Sequence, residues 1–263
     1  MEKLLDEIES YWSTRTEGYS EVNHKELAGT QKNAWLKVLT SQFPDKPKEE
    51  IRILDIGTGP GFFPVIPAEA GYYVDAVDYT EGMLEKAKEN AGDLCRNIRF
   101  LRMDAQKLDF EDNTFDVVIS RNLTWNLEHP DVAYREWVRV LKAGGRLLNF
   151  DANWYGYLYE EEQRKAYEND RKNVENNSLD DHYLCTDIER MERIALQVPL
   201  SKISRPQWDV KTLREAGLLG IRTDTEIWKT VWSEEERLNY QSTPMFMVTG
   251  VKPDHFLNLP VAA

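Results

Sequence analysis

Between positions 53 and 62 the chain reads ILDIGTGPGF, an apolar run that ends in Asp55 and passes into glycines at 57, 59 and 61. Glycine lacks a Cβ, so such a loop can turn tightly and let a ligand lie against the main chain. Phosphate loops, dinucleotide sites and plain turns all use one, and spacing has to discriminate. The Gly-Lys-Ser/Thr of a phosphate loop is missing, and the dinucleotide fingerprint wants glycine or alanine where Phe62 stands. Asp78 follows Gly57 by 21 residues, the separation at which an acid at the end of a second strand accepts hydrogen bonds from a ribose diol. Asp104 closes a third apolar run, where a carboxylate beside a free backbone amide can read the amino group and ring nitrogen of adenine. Together the three acids and the loop describe a site for an adenosine.

The elements that must carry these residues can be read from periodicity. Leu4, Leu5, Ile8, Tyr11 and Trp12 recur at helical spacing, as do Leu27, Ala34, Trp35, Val38 and Leu39, which predicts two helices before the first strand. From Ile51 to Asp151 short β-branched or aromatic runs alternate with helical stretches, with strands expected at 51–56, 72–78, 98–104, 115–120 and 146–151. Met83, Leu84 and Ala87 mark one intervening helix; Tyr134, Trp137, Val138 and Leu141 mark another, expected to stop at Gly144-Gly145. The alternation predicts an α/β fold with a doubly wound, mostly parallel sheet. Residues 153–205 hold eleven acidic and eight basic side chains and little β propensity, and read as a helical lid insertion. RPQWDVKTLREAGL then predicts a short helix stopped by Gly217, and IRTDTEIWKTVW with PMFMVTGV an antiparallel C-terminal pair of strands. The expected organisation is a helical cap over 1–45, an α/β core over 46–152, the lid over 153–205, and the rest of the core over 206–263.

Composition narrows the function. The 263 residues include 46 acidic and 33 basic side chains, a net charge of -13, which repels a polyanion at long range and argues against nucleic acid as a partner. No apolar run reaches 18 residues, and the opening MEKLLDEIESYW is too acidic and too broken for a signal peptide, so a cytoplasmic protein without a membrane partner is expected. Cys95 and Cys185 are too few for a disulfide scaffold. His182 and Cys185 form an HxxC pair without a second cluster, and no metal site is expected.

LDIGTGPG, VDAVDYTEGMLEKA, FLRMDAQKLDFEDNTFDVVISRN and VRVLKAGGRLL resemble the successive motifs of class I S-adenosylmethionine-dependent methyltransferases, from about Ile51 to Asp151, with a weaker match in YWSTRTEGY at 11–19. The resemblance implies a Rossmann-like fold with S-adenosyl-L-methionine as cofactor and S-adenosyl-L-homocysteine as product. Carried over by position, it implies that Gly57, Thr58 and Gly59 line the methionine part and Asp78 holds the ribose. Tyr79 and Met83 would pack on the adenine, while Asp104 and the Ala105 amide read its edge. Asn122 would meet the methionine amino group, and Trp12 and Tyr19 would close over the carboxylate. The family's helix after the glycine loop is usually regular; here Pro64 and Pro67 intervene, and Pro67 is expected to kink it or delay its start.

Methyl transfer is an in-line displacement from a sulfonium, so alignment and desolvation matter more than a dedicated residue. An acceptor protonated at neutral pH still needs a base, for which His182 is the candidate. The acceptor is expected over the ends of strands four and five, against Trp125, Trp154 and Tyr155, whose rings suit a planar or cationic group. A closed helical lid favours a small-molecule acceptor. A protein or peptide acceptor, and a catalytically silent module that binds the cofactor without turnover, are the alternatives; a nicotinamide dehydrogenase is disfavoured by Phe62. Either a monomer or a homodimer is compatible with this reading.

Overall fold

A computed structural model describes residues 4–183 and 186–254. Two helices come first, α1 (Leu4–Ala28) and α2 (Gln31–Thr40), followed by β1 (Arg52–Ile56), α3 (Phe62–Glu69), β2 (Tyr73–Asp78), α4 (Glu81–Ala91), β3 (Ile98–Arg102), β4 (Phe115–Arg121), α5 (Pro130–Val140) and β5 (Leu141–Asp151). Beyond β5 lie α6 (Glu161–Asn176), α7 (Ile188–Ala195), α8 (Gln207–Glu215), β6 (Leu219–Asp224), α9 (Trp228–Val231), α10 (Glu234–Asn239) and β7 (Phe246–Val251).

The strands form one seven-stranded sheet in the order β3-β2-β1-β4-β5-β7-β6. β1 to β5 run parallel, and β7 is antiparallel to both β5 and β6. Successive residues of a strand face opposite sides, so Ile53 and Ile119 enter one apolar layer with Trp35, Phe63 and Phe150, while Leu54 and Val118 enter the other with Tyr134 and Trp137. Both faces are covered, as a parallel sheet requires. The chain leaves β1 toward β2 on one side and later returns to β4 on the other. The crevice above the carboxyl ends of β1 and β4 is therefore the topological switch point where such sheets take ligands.

Three expectations need correction. Gly144 and Gly145 do not stop a helix: α5 ends at Val140 and β5 begins at Leu141, with the glycines inside the strand where its register against β4 shifts between Phe115 and Val117. Gly145 fits there because a Cβ would stand 2.8 Å from the Lys142 carbonyl oxygen. The strand expected over 221–232 ends at Asp224, and its apolar second half forms α9, which buries Ile227 and Val231 against α2 instead of joining the sheet. Pro67 does not delay α3, which starts at Phe62 directly after Gly61; it sits in the last turn of an eight-residue helix, where its missing N–H costs one hydrogen bond.

A third apolar cluster lies outside the sheet. Tyr11 of α1 packs there with Trp125, Tyr155 and Tyr157 and with Met191, Ile194 and Ala195 of α7. The stretch after β5 is thereby fastened to the first helix of the chain. Among the described residues no helix is long and apolar enough to cross a membrane.

Candidate functional site

Two adjoining cavities occupy the switch-point crevice, and they share Trp12, Tyr19 and Asn122. The first is built from strand ends. Gly57 and Thr58 donate their backbone N–H groups to the Val77 carbonyl at 2.8 and 3.0 Å, which ties the loop after β1 to the end of β2. Asp78 completes the tie: its Oδ2 accepts from Gly59 N at 2.8 Å and its Oδ1 from Thr80 N at 2.9 Å. Gly61 (φ 95°) lets the loop close on α4, because a Cβ there would come within 3.1 Å of Ala87 Cα. Burial pushes the Asp78 carboxyl above its ordinary range, against the pull of the two backbone donors. Asp55, wholly buried behind the loop, is pushed up to about 7 by burial and by the neighbouring Asp78.

Of the residues expected to hold a cofactor, Trp12, Tyr19, Gly57, Gly59, Asp78, Tyr79, Met83, Asp104, Ala105 and Asn122 all line this first cavity. Thr58 does not; it is buried behind the loop, where its side chain bears on Asp55. Asp104 Oδ1 accepts from the Gln106 backbone and side chain at 2.8 and 3.1 Å, which fixes the carboxylate at the cavity edge. Tyr79 carries the Arg102 guanidinium 5.2 Å from its ring centroid. Sequence reasoning missed Arg121, Leu123 and Asn126, which also line the cavity. Asn126 accepts from Trp12 Nε1 at 2.7 Å, so it fixes one of the two aromatics that α1 lays against this cavity.

α1 is held by charge and by amide. Asn90 of α4 donates to Ser20 Oγ and to the Pro60 carbonyl at 2.9 and 2.8 Å, and His24 meets its Oδ1 at 2.8 Å. Arg121 makes a two-pronged pair with Glu26 at 2.6 and 3.1 Å and lies over the Phe62 ring. Burial lifts the Glu26 carboxyl to about 7 in spite of Arg121, and Glu236 adds to the rise. Tyr19 is brought by the same helix to within 3.4 Å of where a Gly59 Cβ would stand.

These residues fit an adenosine bearing an amino acid. Asn122 Oδ1 and Asn126 Nδ2 are both buried without a hydrogen-bond partner, an acceptor and a donor in the wall of the same cavity as Asp104. Unpaired buried polar atoms are costly, and an ammonium and a carboxylate would satisfy this pair.

The second cavity takes Trp125, Trp154, Tyr155 and His182, the residues expected to meet an acceptor, together with Tyr183 and Tyr240, which sequence reasoning missed. Its walls rest on a buried ionic cluster. Asp151, at the end of β5, accepts from Trp125 N and Trp154 Nε1, both at 3.0 Å. Arg205 donates to Asp151 at 2.6 Å and to Asp209 at 2.6 and 2.9 Å, and all three side chains are fully buried. Trp125 stacks on Tyr155 with centroids 4.9 Å apart. Both His182 ring nitrogens are engaged, Nδ1 with Tyr240 at 2.9 Å and Nε2 with Glu235 at 3.0 Å. Cys185 and His255 lie outside the described residues.

The sheet order, the glycine loop after β1, the acid ending β2 and the acid just beyond β3 give the arrangement of a Rossmann-like fold. Residues 54–149 match the family model of the methyltransferase domain. Among relatives, the chain is similar to a demethylmenaquinone methyltransferase of Clavibacter sepedonicus, with 39% identity over 37% of this chain and 39% of that one. A demethylmenaquinone methyltransferase of Renibacterium salmoninarum is 31% identical over 56% of this chain and 60% of its own length. The chain thus matches about two fifths to three fifths of these relatives. Among solved structures, phosphoethanolamine N-methyltransferase 2 of Haemonchus contortus, in complex with S-adenosyl-L-methionine, shares the fold with a TM-score of 0.58 at 18% identity, over 83% of this chain and 52% of that one.

Proposed function

We propose that this protein transfers the methyl group of S-adenosyl-L-methionine to a small-molecule acceptor held in the aromatic cavity. The observation that carries the reading is the joint lining of one cavity by Gly57, Gly59, Asp78, Asp104 and Asn122, whose buried Oδ1 has no partner. When bound, the cofactor supplies a sulfonium methyl carbon open to nucleophilic displacement. Asp78 accepts from the ribose hydroxyls on the lone pairs that Gly59 and Thr80 leave. Asp104 and the Ala105 amide read the adenine edge while Met83 and Tyr79 pack on the ring. Asn122 accepts from the amino group, and Trp12 with Tyr19 excludes water where the two cavities meet. Excluding water there strengthens every polar contact and holds the acceptor in line.

Residues 153–205 serve in this reading as the lid over the acceptor. The family match ends at residue 149, short of this stretch, and the quinone substrates named for the relatives define one planar class worth screening first. Eight aromatic residues around the second cavity support a flat or cationic acceptor over an extended peptide. A cytoplasmic location accords with the exposed free thiol of Cys95.

Calorimetric titration with S-adenosyl-L-homocysteine, with NAD as the control, tests the cofactor. Binding of the first at micromolar concentration and none of the second is expected. Binding of NAD alone would overturn the reading, and single-turnover assays with labelled S-adenosyl-L-methionine separate an enzyme from a silent binder.

A further inference from the structure

Tyr240 lines the acceptor cavity, and its hydroxyl begins a chain of three polar groups leading out of it. The hydroxyl lies 2.9 Å from His182 Nδ1, and His182 Nε2 lies 3.0 Å from Glu235 Oε1. Several contacts hold this line in place. Glu235 sits in the first turn of α10, whose start is fixed by Ser233 and Glu236 in a reciprocal cap. Asn239, fully buried at the other end of the helix, accepts the His182 backbone N–H at 3.1 Å and donates to the Asp180 carbonyl at 3.0 Å. The Tyr240 ring stands edge-on to Trp154 at 5.3 Å and lies tilted against His182 at 5.5 Å.

The chemistry of the three groups gives the chain a direction. An ionised Glu235 can only accept, so Nε2 carries the hydrogen and Nδ1 presents its lone pair to the phenol. This is the polarity of a hydroxyl, histidine and carboxylate series. The His182 side chain is 13% and the Glu235 side chain 35% exposed, so a proton that reaches the imidazole has a way out to water. Burial, with Tyr183, Glu236, Tyr19 and Glu26 around it, pushes the Tyr240 phenol well above its ordinary range. It therefore passes a proton on and does not stand as a phenolate.

Resting on the methyltransferase reading, we propose that Tyr240, backed by His182 and Glu235, takes the proton from an acceptor whose nucleophilic atom carries one. The acceptor atom forms its bond to the methyl carbon as the carbon–sulfur bond breaks, and the electron pair of that bond remains on sulfur. The acceptor's proton passes to the Tyr240 oxygen while the phenol's own proton passes to His182 Nδ1. The imidazolium so formed stays paired with Glu235. Tyr240 is the catalytic residue of this step; His182 and Glu235 are positioning residues that act through it.

Two measurements on the full chain test the relay. Long-range 1H–15N spectra of histidine-labelled protein, with the ring assigned by comparison with His182→Gln, are expected to show the Nε2–H tautomer at neutral pH and a moved Nδ1 resonance in Tyr240→Phe. An Nδ1–H tautomer, or a ring doubly protonated at neutral pH, would overturn the proposal whatever the acceptor. With the acceptor that the screen identifies, Tyr240→Phe and His182→Gln are expected to lower kcat by about 10²- to 10⁴-fold, with S-adenosyl-L-homocysteine affinity unchanged. A wild-type kcat in Tyr240→Phe would sink the relay and leave the cofactor reading intact, whereas failure of the unmodified protein to bind S-adenosyl-L-homocysteine strikes the cofactor reading itself.

Discussion

The two cavities of this protein are built by different means. The cofactor cavity is made of strand ends and the loops that follow them, and its main ties are backbone N–H groups: Gly57 and Thr58 to Val77, and Gly59 and Thr80 to Asp78. The second cavity is made of side chains from α1, the segment after β4, the stretch after β5 and Tyr240 just past α10. It is braced by charge, with Arg205 between Asp151 and Asp209 in full burial. A backbone-built site tolerates change in the residues around it and depends on a few glycines and one acid. A site braced by a buried ion pair depends on every partner, because removing one leaves an unpaired charge out of water.

The difference can be broken at its strongest point first. Arg205→Ala is expected to destabilise the fold by about 3 to 5 kcal/mol, read by denaturant unfolding, because Asp151 and Asp209 would be left buried without their cation. A loss below about 1 kcal/mol would mean that water reaches the cluster and that the acceptor wall is not braced as described. Asp78→Ala carries the next largest effect: it is expected to weaken S-adenosyl-L-homocysteine by about 1 to 3 kcal/mol in calorimetry. Unchanged affinity would displace the ribose from the end of β2.

Asp55 sharpens the contrast through pH. The folded chain holds the Asp55 proton up to about pH 7, whereas the ordinary value is 3.8, so the folded state binds more protons than the unfolded one across that window. Its stabilising contribution is full below the lower value and is lost as pH rises through the upper one. Glu26, raised from 4.5 to about 7, works in the same direction. Asp55→Asn removes one of these proton differences and is expected to flatten the fall of Tm between roughly pH 5 and pH 8. An undiminished slope would assign the effect to the other raised carboxyls, Glu26 and Asp78 among them. Smallest is Trp154→Phe, which deletes the indole N–H that meets Asp151 at 3.0 Å. It should cost about 0.5 to 1.5 kcal/mol of stability and raise KM for the acceptor without touching cofactor affinity. A shift in both affinities would mean that the cavities are coupled through their shared wall.

The same contrast explains what was legible in the sequence. Gly57, Asp78, Asp104 and Asn122 lie at or within two residues of the carboxyl end of a strand in a βαβ alternation, so a one-dimensional pattern already brings them to one edge of the sheet. Trp125 and Trp154 could be expected on the acceptor side because they follow β4 and β5. Tyr240 and Glu235 could not, since their contact with His182 spans 58 and 53 residues and depends on how α10 packs. His182 was legible as a histidine worth testing but not as the middle of a chain whose two ring nitrogens are already engaged. The glycines at 144 and 145 misled for a related reason: a helix stop and a strand irregularity use the same residue, and only pairing with β4 distinguishes them. The apolar half of 221–232 alternated like a strand, yet α2 offered it a closer surface than the sheet edge did.

The central claim is that cofactor and acceptor occupy adjoining cavities that meet at Trp12, Tyr19 and Asn122. The most direct measurement is a crystal structure of the protein with S-adenosyl-L-homocysteine. The account predicts the ribose on Asp78, the adenine between Met83 and Asp104, and the sulfur at the shared wall, facing Trp125 and Tyr240. A ligand lodged in the aromatic cavity, or a sulfur turned away from it, would contradict the account.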